Sequence, residues 1–107
     1  METKINSVVA LEVNADSYDI KLIDIPTDYE SLCAKIGHKT ITVLPLAHGA
    51  VAICQAGFSE LINREFNDRA IVGQVFIVLG TTAHGYCGLS AEQINFYTKY
   101  FGGDESL

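Results

Sequence analysis

Asn63, Arg64 and Arg69 lie close together in a chain with only seven lysines and arginines against thirteen carboxylates. Arginine presents a planar fork of donors that matches phosphate oxygens, and a side-chain amide can read a base or ribose edge. The three residues are therefore expected to clamp a small anionic or nucleotide ligand. The surface would include the loop 55–70, with His84 and Tyr86 from the 80–88 loop beside it. A structural reading competes with this one. Glu65 and Asp68 flank the two arginines, and local ion pairs would neutralise them.

Other chemistry is thinner. His84-Gly85-Tyr86-Cys87 spaces two metal ligands three apart. Zinc needs about four good donors, or three plus a water in a catalytic site. His48 and Cys54 could complete a set across a sheet, but no C-x-x-C or H-E-x-x-H pattern accompanies them. His84 and Cys87 would also be the only basis for a Cys-His nucleophile. Gly80-Thr81-Thr82-Ala83-His84-Gly85 lacks the lysine and spacing of a phosphate-binding P-loop. A weak anion site at the start of a helix beginning near Ser90 is a further candidate. The expectation is no catalytic residue, no metal and no cofactor.

Charge supplies a second candidate surface. The net charge is −6, which argues against direct nucleic-acid binding, since such proteins normally carry a basic stripe. Asp16, Asp19, Asp24, Asp28 and Glu30 fall close together, interrupted only by Lys21. Asp16, Asp19 and Asp24 are the residues expected to engage a basic partner protein. The bland alternative is a solvated edge followed by helix-start carboxylates.

These residues need elements to hold them. At 107 residues and 49% apolar content, one domain with one core is the simplest reading. No apolar run approaches the roughly 20 residues of a membrane span. The N-terminus lacks the pattern of a signal peptide. Three cysteines cannot all pair, and reduced, partly buried thiols in a cytoplasmic protein are expected.

Residues 5–13 alternate, with Ile5, Ser7, Val9, Leu11 and Val13 on one face of a half-covered strand. Asn14-Ala15-Asp16-Ser17 is turn chemistry. Tyr18, Ile20 and Leu22 continue as the second strand of a hairpin. The apolar phase shifts at Ile23 and Ile25, which suggests a bulge or strand end. Pro26 stops that strand, and Thr27 with Glu30 reads as a capping box. Tyr29, Leu32, Cys33 and Ile36 then form a helical stripe that Gly37 ends.

Residues 40–46 and 50–54 read as a second hairpin turning at His48-Gly49, with Pro45 near a strand end or sheet edge. The small face of the second strand invites a closely packed helix. Residues 55–73 read as irregular, with one helical turn over 58–63. Residues 75–79 are apolar on both faces, as in a central strand. A second capping box, Ser90 with Gln93, opens a helix with Ala91, Ile94, Tyr97 and Phe101 on one stripe. Tyr100, if it points away, could seed a homodimer contact. Residues 104–107 read as a frayed tail.

The fold class expected is α+β, in the order ββαββ, loop, βα. It would hold a five-stranded, mostly antiparallel sheet with both helices on one face. From about Tyr18 to Phe101 the chain resembles a family of small uncharacterised proteins carried by phages, plasmids and their bacterial hosts. The resemblance rests on the hairpin before a Tyr-containing helix and on Ile41-Thr42-Val43-Leu44-Pro45-Leu46. It also rests on Asn63-Arg64 ahead of Ile71-Val72-Gly73-Gln74-Val75-Phe76-Ile77-Val78, and on Leu89-Ser90-Ala91-Glu92-Gln93. It implies a genomic setting rather than a mechanism: a non-enzymatic accessory or counter-defence factor that binds a host protein or sequesters a small nucleotide.

Overall fold

The computed structural model describes residues 7–17, 19–57 and 61–102. Ile5, Tyr18, Phe58 and the 104–107 tail lie outside them. The elements are β1 (Ser7–Asn14), β2 (Lys21–Pro26), α1 (Tyr29–Ile36), β3 (Ile41–Pro45), β4 (Ala50–Gln55), β5 (Ile62–Phe66), β6 (Arg69–Val72), β7 (Val75–Thr82), β8 (Gly85–Cys87) and α2 (Ala91–Gly102). The class is α+β, as composition and patterning suggest.

The main sheet runs β2-β1-β7-β4-β3, and β8 pairs with the end of β7. Every pairing is antiparallel. Two hairpins thus flank β7, whose residues Phe76 to Gly80 are buried throughout. That is the central strand its two-sided apolar run calls for.

The expectation of two helices on one face is overturned. Side-chain parity divides the core into two clusters. Ala10, Val51, Ile53, Ile77 and Leu79 pack with Leu32 and Ile36 of α1. Leu11, Val13, Ala52, Cys54, Phe76 and Val78 pack with Tyr97 and Phe101 of α2 and with Phe66 and Ile71 of β5 and β6. The helices lie on opposite faces. The physical reason is in the strands: β4 and β7 are apolar on both faces, and both faces must be covered.

The strand count is also corrected. Residues 62–72 form a separate two-stranded hairpin, not an irregular loop; of the helical turn expected over 58–63, residues 58–60 lie outside the described residues, and Ile62 and Asn63 are strand. Its turn is Asn67-Asp68, with φ of 51° and 68°. Two adjacent left-handed residues are the conformation that a tight two-residue hairpin requires, and Asn and Asp tolerate it best after glycine. β7 extends to Thr82 and β8 follows, so the 80–88 segment is largely strand.

Smaller corrections follow the same logic. β2 pairs with β1 in unbroken register from Ser7–Pro26 to Glu12–Lys21. The phase shift at Ile23 and Ile25 is no bulge; these residues face the α1 side and Leu22 lies exposed on the other. The cap of α1 is Asp28, not Thr27: its carboxylate accepts the Ser31 amide at 3.0 Å. Hydrogen bonding from the Ser31 hydroxyl, and then from the Ser31 amide, holds the Asp28 carboxyl below its ordinary value of 3.8. Gly37 (φ 82°) closes the helix as expected.

The Ser90–Gln93 box forms reciprocally, at 3.1 and 2.8 Å. Gln93 Nε2 also donates to the His48 carbonyl, fixing the start of α2 on the β3–β4 turn. Ala91 is exposed rather than part of the buried stripe.

The chain's two prolines end the two edge strands. Leu89 N–H donates to Val9 O on the far side of β1 from β2, so the Pro26 backbone points outward. Ala56 N–H donates to Thr40 O and Leu46 N–H to Ala50 O, so Pro45 on β3 points outward as well. Each removes a donor that would otherwise template a further strand. No helix is long and apolar enough to cross a membrane among the described residues.

Candidate functional site

Asn63 is the one buried polar side chain among the described residues. Its Nδ2 lies 3.1–3.2 Å from the carbonyls of Val13, Gly73 and Gln74. Its Oδ1 accepts Arg64 Nη1 at 3.0 Å. Arg64 donates from Nε to Phe101 O at 2.7 Å, from Nη1 to Asn63 O at 3.0 Å, and from Nη2 to Ser17 O at 2.7 Å. Phe101 O belongs to the last turn of α2, where carbonyls lack helical partners and a cation is favoured by the helix dipole.

The Asn63–Arg64 pair thus ties β1, the β1–β2 turn, the β6–β7 link and the end of α2 together. Its donors face protein carbonyls. Among the described residues, Arg64 donates to the backbone oxygens of Phe101, Asn63 and Ser17 and to the Asn63 side-chain oxygen, rather than to Glu65 or Asp68. The ion pair seen among the described residues is Lys35–Glu12, at 3.0 Å.

The other members of the expected clamp lie elsewhere. Arg69 is exposed beside the β5–β6 turn. His84 is exposed in the β7–β8 turn, where its amide donates to Thr82 Oγ1. Tyr86 packs on the α1-side core, the opposite face of the sheet from Arg64. Asn63 is bonded at the start of β7 and Tyr86 pairs with Thr81 near its end. Seven strand steps of about 3.3 Å separate the two ends of β7, so about 23 Å lies between them. The five residues do not form one surface. Cys87 pairs with Gly80 inside β8, while His84 stands in the turn. No three His, Cys, Asp or Glu side chains among the described residues converge as a metal site.

The acidic candidate is partly brought together. Glu12, Asn14, Asp16, Ser17, Asp19 and Lys21 line a hollow of about 420 Å³ at the β1–β2 end. The turn is held from several sides. Asn14 Oδ1 accepts the Asp16 amide at 2.9 Å, and Ser17 Oγ accepts the Asp19 amide at 2.9 Å. Gln74 Nε2 bridges Asn14 Oδ1 and Asp16 Oδ2, at 2.8 and 3.0 Å. Ala15 N–H donates to Gln74 O. Arg64 grips Ser17 O from the α2 side.

Glu12 stands opposite Lys21 in the hairpin register and is bonded to Lys35. Asp16 and Asp19 are both exposed, so they are the carboxylates presented outward at this end. Asp24 does not join them. It lies three residues farther along β2, opposite Val9 and on the other face from Lys21.

Glu12, Ser17 and Gln74 belong to this end yet carry no signal when each is read alone. Glu12–Lys21 becomes visible only once the hairpin register is known. Gln74 shows no local pattern that would single it out.

A further hollow of about 470 Å³ lies along α1, lined by Tyr29, Cys33, His38 and Lys39 among others. There the Tyr29 hydroxyl and the Cys33 thiol both donate to Lys39 O, at 3.3 and 3.4 Å. The Tyr29 phenol is pushed above its ordinary value, chiefly by its hydrogen bond with Cys33. The Cys54 thiol is pushed up by burial, as befits a core residue.

No family model, curated protein or solved structure matches this chain.

Proposed function

We propose that this chain acts by non-covalent binding, and that its binding surface is the acidic β1–β2 end, which engages a basic segment of a partner protein. One observation carries the reading: Asp16 and Asp19 stand exposed on a turn that Arg64, Asn63 and Gln74 hold in place. A fixed array of charges meets a partner with less ordering than a mobile one, and opposite charge speeds the encounter. The residues expected to clamp an anion serve this reading differently, as the brace behind the acidic turn. A role as an accessory factor of a mobile element rests on the family resemblance alone.

The test uses a fluorescently labelled ten-residue arginine peptide and measures its anisotropy at low and physiological salt. Asp16→Asn with Asp19→Asn should weaken binding about fivefold, from two exposed charge contacts of about 0.5 kcal/mol each. A charge-matched control, Glu65→Gln with Asp68→Asn on the β5–β6 hairpin, should weaken it less than about twofold. Equal losses would mean that only net charge matters and that the β1–β2 end is not a site.

A further inference from the structure

The exposed face of α2 carries its own pattern. Phe96 and Tyr100 are 36% and 43% exposed, although both are large aromatics. Their rings stack at 5.7 Å with planes 30° apart, so they form one continuous patch. The patch is anchored rather than mobile. Tyr100 sits 5.1 Å from the buried Phe66 ring, and Phe96 meets Tyr97 edge-on at 4.8 Å. His48 packs on the edge of Phe96 at 4.6 Å. Hollows flank Phe96 on both sides, one reaching His48 and Glu92 and the other Lys99 and Tyr100.

Charge on this face is arranged in opposite signs about its centre. Glu92 lies in the first turn of α2 and Lys99 in the last. They are seven residues apart, hence on one stripe, with Phe96 between them. Neither makes an ion pair within the chain among the described residues.

We infer that this face binds a second copy of the chain, α2 against α2 in antiparallel pairing about Phe96. A twofold axis beside residues 95 and 96 brings each Glu92 opposite Lys99 of the other copy, and both pairs form at once. The same operation sets Tyr100 of one copy against the hollow beside His48 and Phe96 of the other. A face that complements itself in this way is what an isologous dimer requires. Both aromatics would leave water, and aromatics are the side chains most enriched in interface cores.

The twelve-residue helix is only about 18 Å long. A helix pair of that length falls at the small end of the roughly 1,000 Å² that stable interfaces bury, so a Kd on the order of tens of micromolar is expected.

Sedimentation equilibrium from micromolar to near-millimolar protein, at 150 mM salt, tests this surface apart from the acidic one. Wild type should dimerise. Glu92→Lys and Lys99→Glu should each raise Kd about tenfold, because two attractions become two repulsions. The double variant, Glu92→Lys with Lys99→Glu, should return Kd to within about threefold of wild type. Both positions are exposed, and circular dichroism should show each variant folded like wild type. A wild type monomeric at near-millimolar concentration would overturn the inference. So would single variants that dimerise like wild type, or a double variant that fails to recover.

Discussion

Replacing Arg64 should unfold the chain's polar tie rather than empty a ligand site. Among the described residues the guanidinium reaches four acceptors, of which Phe101 O and Ser17 O are each at 2.7 Å. Hydrogen bonds from a charged donor are worth about 1.5–3 kcal/mol each. Arg64 is only half-buried, so water can replace part of what is lost. Discounting the two short bonds by roughly half gives about 1.5–3 kcal/mol for Arg64→Ala. Arg64→Lys keeps the charge, but a single ammonium does not reproduce the fork that spans these oxygens, so about 1–2 kcal/mol is lost. One kcal/mol moves the melting temperature of a domain this size by about 4–8 °C. Arg64→Ala should therefore melt about 6–24 °C below wild type, with Arg64→Lys between them. Urea denaturation should show a lower midpoint at unchanged slope. An Arg64→Ala protein that melts within about 2 °C of wild type would refute the structural tie and favour an anion-binding role for Arg64.

Tyr97 is fully buried, and its hydroxyl both donates to Ala47 O and accepts the Ala47 amide. Tyr97→Phe should lower stability by about 1–3 kcal/mol in thermal melts, because two backbone groups lose their partner. Burial also raises the Tyr97 phenol above its ordinary value of 10.0. Its contribution is therefore present below pH 10 and lost as pH rises through the folded-state value. Tyr97→Phe should show a shallower alkaline loss of stability than wild type. The depressed Asp28 carboxyl has the opposite sign. Asp28→Ala should melt below wild type at pH 7, and the gap should narrow as pH falls below the ordinary value of 3.8; a pH-independent gap would show that the charge of the cap is irrelevant.

Much of the architecture is written in local patterns. The Ser90–Gln93 box, Gly37 as a helix terminator, the His48-Gly49 turn and the central strand are each set by a few adjacent residues. What escaped reading depends on longer-range facts. The β5–β6 hairpin hides because Ile62-Asn63-Arg64-Glu65-Phe66 mixes a buried amide and a tethered arginine into a strand. Its one local signature is the Asn67-Asp68 turn. The placement of the helices on opposite faces follows from β4, whose Val51 and Ile53 need cover as much as Ala52 and Cys54 do.

The site was half legible. Residue type marked Asn63 and Arg64 as unusual, but donors suited to a phosphate are equally suited to backbone carbonyls. Only the fold decides which oxygens they meet. Asp16 and Asp19 were visible as neighbours in sequence, and the strand pleat separates Asp24 from them.

The most direct measurement of the binding surface is amide chemical-shift mapping by NMR as the arginine peptide is added. A binding site at the acidic end concentrates the shifts at residues 12–21, with Gln74 following through its bonds to Asn14 and Asp16. Shifts spread evenly over exposed carboxylates would contradict it. So would a quiet β1–β2 end beside strong shifts at Arg69 and His84 on adding inorganic phosphate.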